Sequence, residues 1–508
     1  MGNTIIHSNR QLAKNTAMLY FRMLFLIAIN FYTSKVILKS LGIDDYGIYI
    51  AVGGFASMFG MISTALSGAI SRYLTISIAK DTTERLREIF SSSLLIQLAL
   101  CAIVLIVCET IGVWFINTQL IIPTDRIFAA NWVFQFSILT FIINLINIPY
   151  NSLIIAHEKM SIFAYVGIFE GLGLLFISII VKYSPIDILI SYAMLITLQY
   201  IIIRLFYSIY CGRKYPESRF KFVFDKVLIK EMFSFAGWNF IGSAASVLRS
   251  QGINLLINMS YAASVIAARG LAMQVNNAIS NFVMNFTTAI RPRITKSYAV
   301  NDRSTYETLV FQCTKISFLM LIMICLPVLS EINSLVNIWL DEVPEYTISF
   351  IQIILILTLV ESYSNALTYL LLATAKIKRY QLVVGSTLLF NFPLAYIVLK
   401  LGFSPVATVG TSIFISVICL IERLYFLYDM LQFPVVKYLK DVILRTVVVF
   451  LLSLITPVAI CTLFEESNIR IIPNMLLTEI ATIAIIYTVG LNNSERTFIT
   501  NEIRKIIK

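Results

Sequence analysis

Three arginines stand inside long apolar stretches of this chain: Arg22, Arg249 and Arg269. A charged side chain at the centre of a bilayer costs about 2.5–3.5 kcal/mol even on the lenient insertion scale, so it persists only with a partner or a task. The guanidinium fork suits one task well, gripping an anionic phosphate with paired donors. Arg22 is close enough to one end of its stretch to snorkel to the surface, whereas Arg249 and Arg269 lie deeper. Acidic residues stand in comparable positions at Glu170, Glu361 and Glu479. They can pair with the arginines or carry a coupling proton or sodium ion, which makes Glu170 and Glu361 the ion-coupling candidates.

Amides and small residues form rows at helical spacing around these charges. Asn15, Arg22 and Thr33 share a face of the first apolar stretch, and Gly53, Ser57, Gly60, Thr64, Ser67 and Ser71 stripe the second. Asn239, Ser243, Ser246, Ser250, Asn254 and Asn258 follow on the seventh, with Gln274, Asn277, Asn281 and Asn285 on the eighth. Small-residue stripes are the ordinary signature of close helix packing in membranes. Rows of amides four residues apart exceed what packing requires and predict the lining of an aqueous lumen. Other chemistry is poorly provided for. His7 and His157 are the only histidines, and the seven cysteines show no CxxC pair, so metal ligands and a disulfide framework are both lacking. No catalytic group, metal or cofactor is expected, and the chain reads as a carrier rather than an enzyme.

The elements that must position these residues follow from composition. Hydrophobic residues make up 58% of the 508 and charged residues 13%, about half the charged share of soluble domains. A soluble enzyme, a disordered chain and a nucleic-acid reader are thereby excluded. Blocks long enough to cross the ~30 Å hydrocarbon layer as helices predict fourteen spans. They lie near 15–41, 46–78, 90–116, 127–156, 159–181, 184–210, 231–258, 262–298, 307–330, 347–375, 380–401, 405–431, 438–464 and 472–492. The net charge of +11 then becomes a matter of topology. Placing both termini and the even-numbered connections in the cytoplasm puts 29 of the 39 Lys and Arg residues inside and six outside. The polar residues ahead of the first span show no signal-peptide cleavage site.

Two echoes point to an internal duplication. AISRYLTISIA at 69–79 aligns with AIRPRITKSYA at 289–299, a spacing of 220. PYNSLIIAHEK at 149–159 aligns with TYLLLATAKIK at 368–378, a spacing of 219. A duplicated unit of six helices keeps its orientation, which relates the copies by an axis along the membrane normal. The expected architecture is an all-α polytopic membrane protein with two pseudo-symmetric six-helix lobes and two extra C-terminal helices. The N-terminal lobe would occupy 1–211, a basic cytoplasmic linker 212–230, the C-terminal lobe 231–431, and the last two helices with a cytoplasmic tail 432–508.

LGIDDYGIYIAVGGF at 41–55, AISRYLTISIAKD at 69–81 and PYNSLIIAHEKM at 149–160 resemble segments of the Wzx-type polysaccharide repeat-unit flippases. These belong to the multidrug/oligosaccharidyl-lipid/polysaccharide exporter superfamily, and the resemblance covers nearly the whole chain. It implies a flippase in the bacterial cytoplasmic (inner) membrane that turns undecaprenyl-diphosphate-linked oligosaccharides from the cytoplasmic to the periplasmic leaflet. The products would serve O antigen (and so lipopolysaccharide), capsule or related glycans, and the cycle would be alternating access. A cationic lumen is implied too, with Arg22, Arg249 and Arg269 as diphosphate contacts, and polysaccharide polymerase and chain-length proteins as partners. Two rivals stand beside this reading. A cation-coupled multidrug exporter shares the fold, although many carry an early carboxylate in the first helix and residues 15–41 hold none. An intramembrane glycan polymerase or ligase generally needs a larger outer loop than the acidic connection at 331–346.

Overall fold

Hydrocarbon offers backbone groups no water, so a chain this apolar must satisfy them within helices. The computed structural model describes residues 23–60, 70, 73–74, 77–78, 82–157, 160–221, 245, 247–374, 378–465, 467–492 and 495–497. Every regular element among them is helical. Helices α1 to α6 run over Met23–Leu41, Ile43–Ser57, Thr83–Thr118, Ile127–Ala156, Met160–Ile180 and Ile188–Lys214. Helix α7 covers 247–258 and α8 Ala263–Ala299. Helices α9 to α14 are Arg303–Ser330, Thr347–Ala373, Lys378–Lys400, Ala407–Leu431, Val435–Leu463 and Ile469–Gly490.

Eleven helices among the described residues are long and apolar enough to cross a membrane, so the chain is a multi-pass membrane protein. Helix α8 has the length, with 37 residues and about 55 Å of rise, but its amides and basic residues keep its hydropathy low. The expected spans at 46–78 and 231–258 fall partly outside the described residues, as does much of the echo at 69–79.

Helix ends are set by caps, and apolar blocks do not report them. The third span was expected from residue 90, yet α3 starts at Thr83, where the Thr82 hydroxyl accepts from Arg85 N at 3.4 Å. The extra turns are charged and lie beyond the apolar block. Asp187 caps α6 in the same way, accepting from Leu189 N and Ile190 N at 3.0 and 3.1 Å. Within α11 the backbone turns at Phe390 and restarts at Asn391, just ahead of Pro393, which has no N–H to continue the ladder.

The chain divides into two compact units, residues 1–270 and 271–508. In the first, α4 lies along α6 and also meets α2, α3 and α5. Lipid supplies no hydrophobic drive for helices to associate, so close approach must do it. Gly47 provides such an approach: a methyl there would overlap the Ala263 carbonyl. Gly270, two turns beyond Ala263 on α8, leaves room for the Ile50 side chain of α2. A polar clasp joins the N-terminal ends of α2, α4 and α6, which therefore run parallel. Arg126 Nε donates to Asp45 Oδ1 at 2.8 Å, and Arg126 Nη1 to Asp187 Oδ2 at 2.7 Å. Burial pushes the Asp45 carboxyl above its usual value, against the pull of Arg126.

In the second unit, α10 lies along α12 and meets α9, while α11 packs on α12. Helices α13 and α14 pair with each other and both touch α9. Phe318 stacks on Tyr363 with ring centroids 4.8 Å apart, and the Tyr438 hydroxyl donates to Tyr363 O at 2.8 Å. The interior mixes apolar with small polar side chains, and large apolar ones also face outward. Ser91, Ser92, Ser93 and Gln97 are buried on α3, while Leu98, Ile103 and Ile106 lie exposed, as expected where the surroundings are hydrocarbon.

Candidate functional site

The polar row of α7 and the arginine of α8 meet through a tight turn. Tyr261 N bonds to Ile257 O at 2.7 Å and Ser260 N to the same oxygen at 3.1 Å, reversing the chain between the two helices. This folds Arg269 back onto residues 250 and 254, one helical turn apart on a single face of α7. Arg269 Nη1 donates to Asn254 Oδ1, and Nη2 lies 3.3 Å from Ser250 O. Asn254 Nδ2 in turn donates to Gln251 Oε1 at 2.8 Å. The Arg269 side chain is only 5% exposed, and its Nε meets no acceptor among the described residues. Half-buried Arg249, on α7, is close enough for the two like charges to repel each other. The partners holding Arg269 are neutral oxygens, so its positive charge is not cancelled by them.

A cavity of about 370 Å³ opens beside this network. Tyr49, Gly53 and Gly54 of α2 form one wall, Ser137, Thr140 and Asn144 of α4 a second, and Gln251 and Asn254 of α7 a third. Gly53 faces open space here, since a Cβ built on it meets only Ser137 Oγ, at 3.7 Å. The Thr140 and Thr197 hydroxyls share a hydrogen bond of 2.9 Å between α4 and α6.

The remaining residues of interest lie elsewhere. Glu170 on α5 accepts from the Tyr200 hydroxyl at 2.9 Å, while Gln199 Nε2 donates to its backbone oxygen at 2.7 Å. Glu361 on α10 accepts from Ser416 Oγ of α12 at 3.3 Å. On α8, Gln274 is half-buried and Asn277 and Asn281 are exposed. The amide turned into the second unit is the neighbouring Asn276, whose Oδ1 accepts from Thr358 Oγ1. Arg22, Asn239 and the side chain of Asn285 lie outside the described residues.

Two intramembrane charges were missed. Arg204 on α6 stacks over Tyr150, 4.1 Å from the ring centroid, with Nη1 buried and lacking an acceptor among the described residues. Glu422 on α12 accepts from Thr387 Oγ1 at 2.6 Å, and its Oε2 is buried without a donor among them. A signal existed for Arg204, because Arg423 follows it at 219 residues, the spacing of the second echo. Glu422 was hidden by standing next to Arg423, which read as the end of a span.

Comparison with known proteins agrees with the fold. No curated protein sequence matches the chain significantly. Among solved structures it is similar to the lipid II flippase MurJ in an inward closed conformation, with a TM-score of 0.70 at 13% identity over 93% of this chain and 98% of that one. It is similar also to an inward-facing multidrug resistance MATE family transporter, with a TM-score of 0.69 at 12% identity over 84% of this chain and 99% of that one. A superfamily transporter from Pyrococcus furiosus gives 0.59 at 12% identity, covering 84% and 96%. These likenesses show the fold. A family model described as MatE matches residues 240–397. The model for polysaccharide biosynthesis proteins matches residues 12–298, more than half of the chain. The chain belongs to the polysaccharide biosynthesis protein family, within the exporter superfamily its sequence resembles.

Proposed function

We propose that the protein is a flippase carrying undecaprenyl-diphosphate-linked oligosaccharide repeat units from the inner to the outer leaflet of a bacterial cytoplasmic membrane. It would use fourteen spans, six in each of two pseudo-symmetric lobes and two more at the C-terminus, with both termini cytoplasmic. The observation that carries this reading is the buried Arg269 guanidinium, whose partners among the described residues are neutral oxygens, in a family defined by polysaccharide biosynthesis. A buried charge whose partners among the described residues are neutral oxygens raises the local potential for an anion, and a diphosphate is the anion such a lipid carrier presents. Arg22 and Arg249 contact it, and Arg269 adds its charge from behind. The exposed amides Asn277 and Asn281 support an aqueous lumen, since water is a far cheaper neighbour for them than lipid. The neighbour order supports duplication. The third helix meets the fourth, the fourth lies along the sixth and the fifth packs on the sixth, and α9 to α12 repeat that order.

Sugars and diphosphate would occupy the lumen while the polyprenyl tail stays in lipid. Turnover follows from differential binding to inward- and outward-open states, driven through Glu170 or Glu361 by a proton or sodium gradient. Deletion of the gene in its own strain tests the proposal. Lipid-linked repeat units should accumulate, confined to the inner leaflet, with surface glycan lost. Intact surface glycan together with heightened drug sensitivity would favour multidrug export, which the MatE match keeps as the second reading. Accumulation in the outer leaflet would favour polymerisation.

A further inference from the structure

The cavity beside Arg269 has a chemistry of its own. Among the described residues, no charged side chain lines it. A diphosphate would call for a cation at the wall, and a cationic drug is held most strongly by a carboxylate. The lining has three aromatic rings (Tyr49, Phe136 and Phe141), three hydroxyls (the Tyr49 phenol among them) and three amides. A pyranose matches this composition: its C–H faces lie against rings, and its hydroxyls each donate and accept. The volume of about 370 Å³ is at the lower end of the ~300–1,000 Å³ usual for small-molecule sites, which suits one or two rings and not a whole repeat unit.

The donor pattern is fixed from behind the wall. A guanidinium has donors and no acceptor, so Asn254 can offer it only Oδ1, as the contact with Arg269 Nη1 shows. Nδ2 of Asn254 must then face the other way, and it meets Gln251 Oε1. With Oε1 engaged, Gln251 keeps its two Nε2 hydrogens for the cavity. A buried cation thereby sets two amides that would otherwise be free to flip.

We propose that this cavity is a subsite for a neutral sugar ring of the carried glycan, and that Arg269 is a positioning residue that sets its donors through Asn254 and Gln251. The inference rests on the flippase reading. It is tested by binding to the full-length protein in lipid nanodiscs. The probes are undecaprenyl diphosphate alone and the same carrier bearing glucose, galactose, N-acetylglucosamine or N-acetylgalactosamine. At least one sugar should tighten wild-type binding about tenfold over the bare carrier, the worth of one or two hydrogen bonds. Gln251→Glu keeps the shape and removes the donors, and Gly53→Leu fills the space without touching the amides. Each should bring the ratio of glycosylated to bare carrier close to one. The subsite is overturned if no sugar improves on the bare carrier or if the ratio survives both substitutions. A wild-type protein that binds no carrier at all overturns the flippase reading and takes the subsite with it.

Discussion

Arg470 Nε lies 2.8 Å from Glu331 Oε1, and both side chains are buried where α9 ends and α14 begins. The pair is bidentate, with Nη2 at 3.0 Å from Oε2, and Asn474 Nδ2 adds a 2.6 Å bond to Oε1. Arg470 Nη1 also donates to Phe464 O at 2.6 Å. This fixes α14 to α9 at one end, and Lys315 pairing with Glu495 fixes them near the other. Removing one member of a buried pair leaves the other charge uncompensated, at about 3–5 kcal/mol. Arg470→Met should therefore lower the thermal midpoint of the solubilised protein by several degrees, with Glu331→Gln in the same chain recovering part of the loss. An unaltered midpoint in the single variant would contradict this role.

The same pair predicts acid sensitivity. Burial raises the Glu331 carboxyl, but bonds from Arg470 and Asn474 outweigh it and hold the group below its ordinary 4.5. A carboxylate depressed in the folded state contributes stability that is fully present above its unfolded value and lost as pH falls through the folded one. Thermal midpoints measured from pH 6 down to pH 3 should fall, and Glu331→Gln should flatten the fall. A parallel fall in the variant assigns the acid sensitivity to other groups.

Gly47 leaves no room for a side chain against the Ala263 carbonyl. Gly47→Ala must push α2 away from the start of α8, at the ~1–3 kcal/mol typical of overpacking. Reduced yield and a lower midpoint are expected, while Gly53→Ala, with open space before it, should behave as wild type. Equal stability of the two variants would argue against the close crossing.

Arg249→Ala should abolish surface glycan without lowering the amount of protein in the membrane. Quantitative blotting beside glycan staining separates a binding defect from a folding one. Normal glycan in this variant removes Arg249 from the diphosphate site.

Among the described residues, the partner of Glu170 Oε1 is the Tyr200 hydroxyl. The proposed ion coupling through Glu170 can be tested directly. In proteoliposomes, Glu170→Gln should make translocation independent of an imposed proton gradient. Gradient dependence persisting in Glu170→Gln but lost in Glu361→Gln would move the coupling to α10.

How much of this was readable beforehand depends on the range of the forces involved. The membrane class, the helical fold and most span positions were written in the chain itself, because hydrocarbon demands apolar blocks of set length and internal backbone bonding. Arg249, Arg269 and Asn254 stood out for the same reason, as polar groups in a place that penalises them. Their partners did not. Whether Glu170 faces an arginine or Tyr200, and whether Asn276 or Asn277 turns inward, depends on rotations of packed helices that hydropathy does not report. Arg470 and Glu331 fell in connections between the expected spans, and the 139 positions separating them hid their pairing. Composition can mark a residue as out of place along the chain, but only the packing of distant helices supplies the neighbour that makes it stable there.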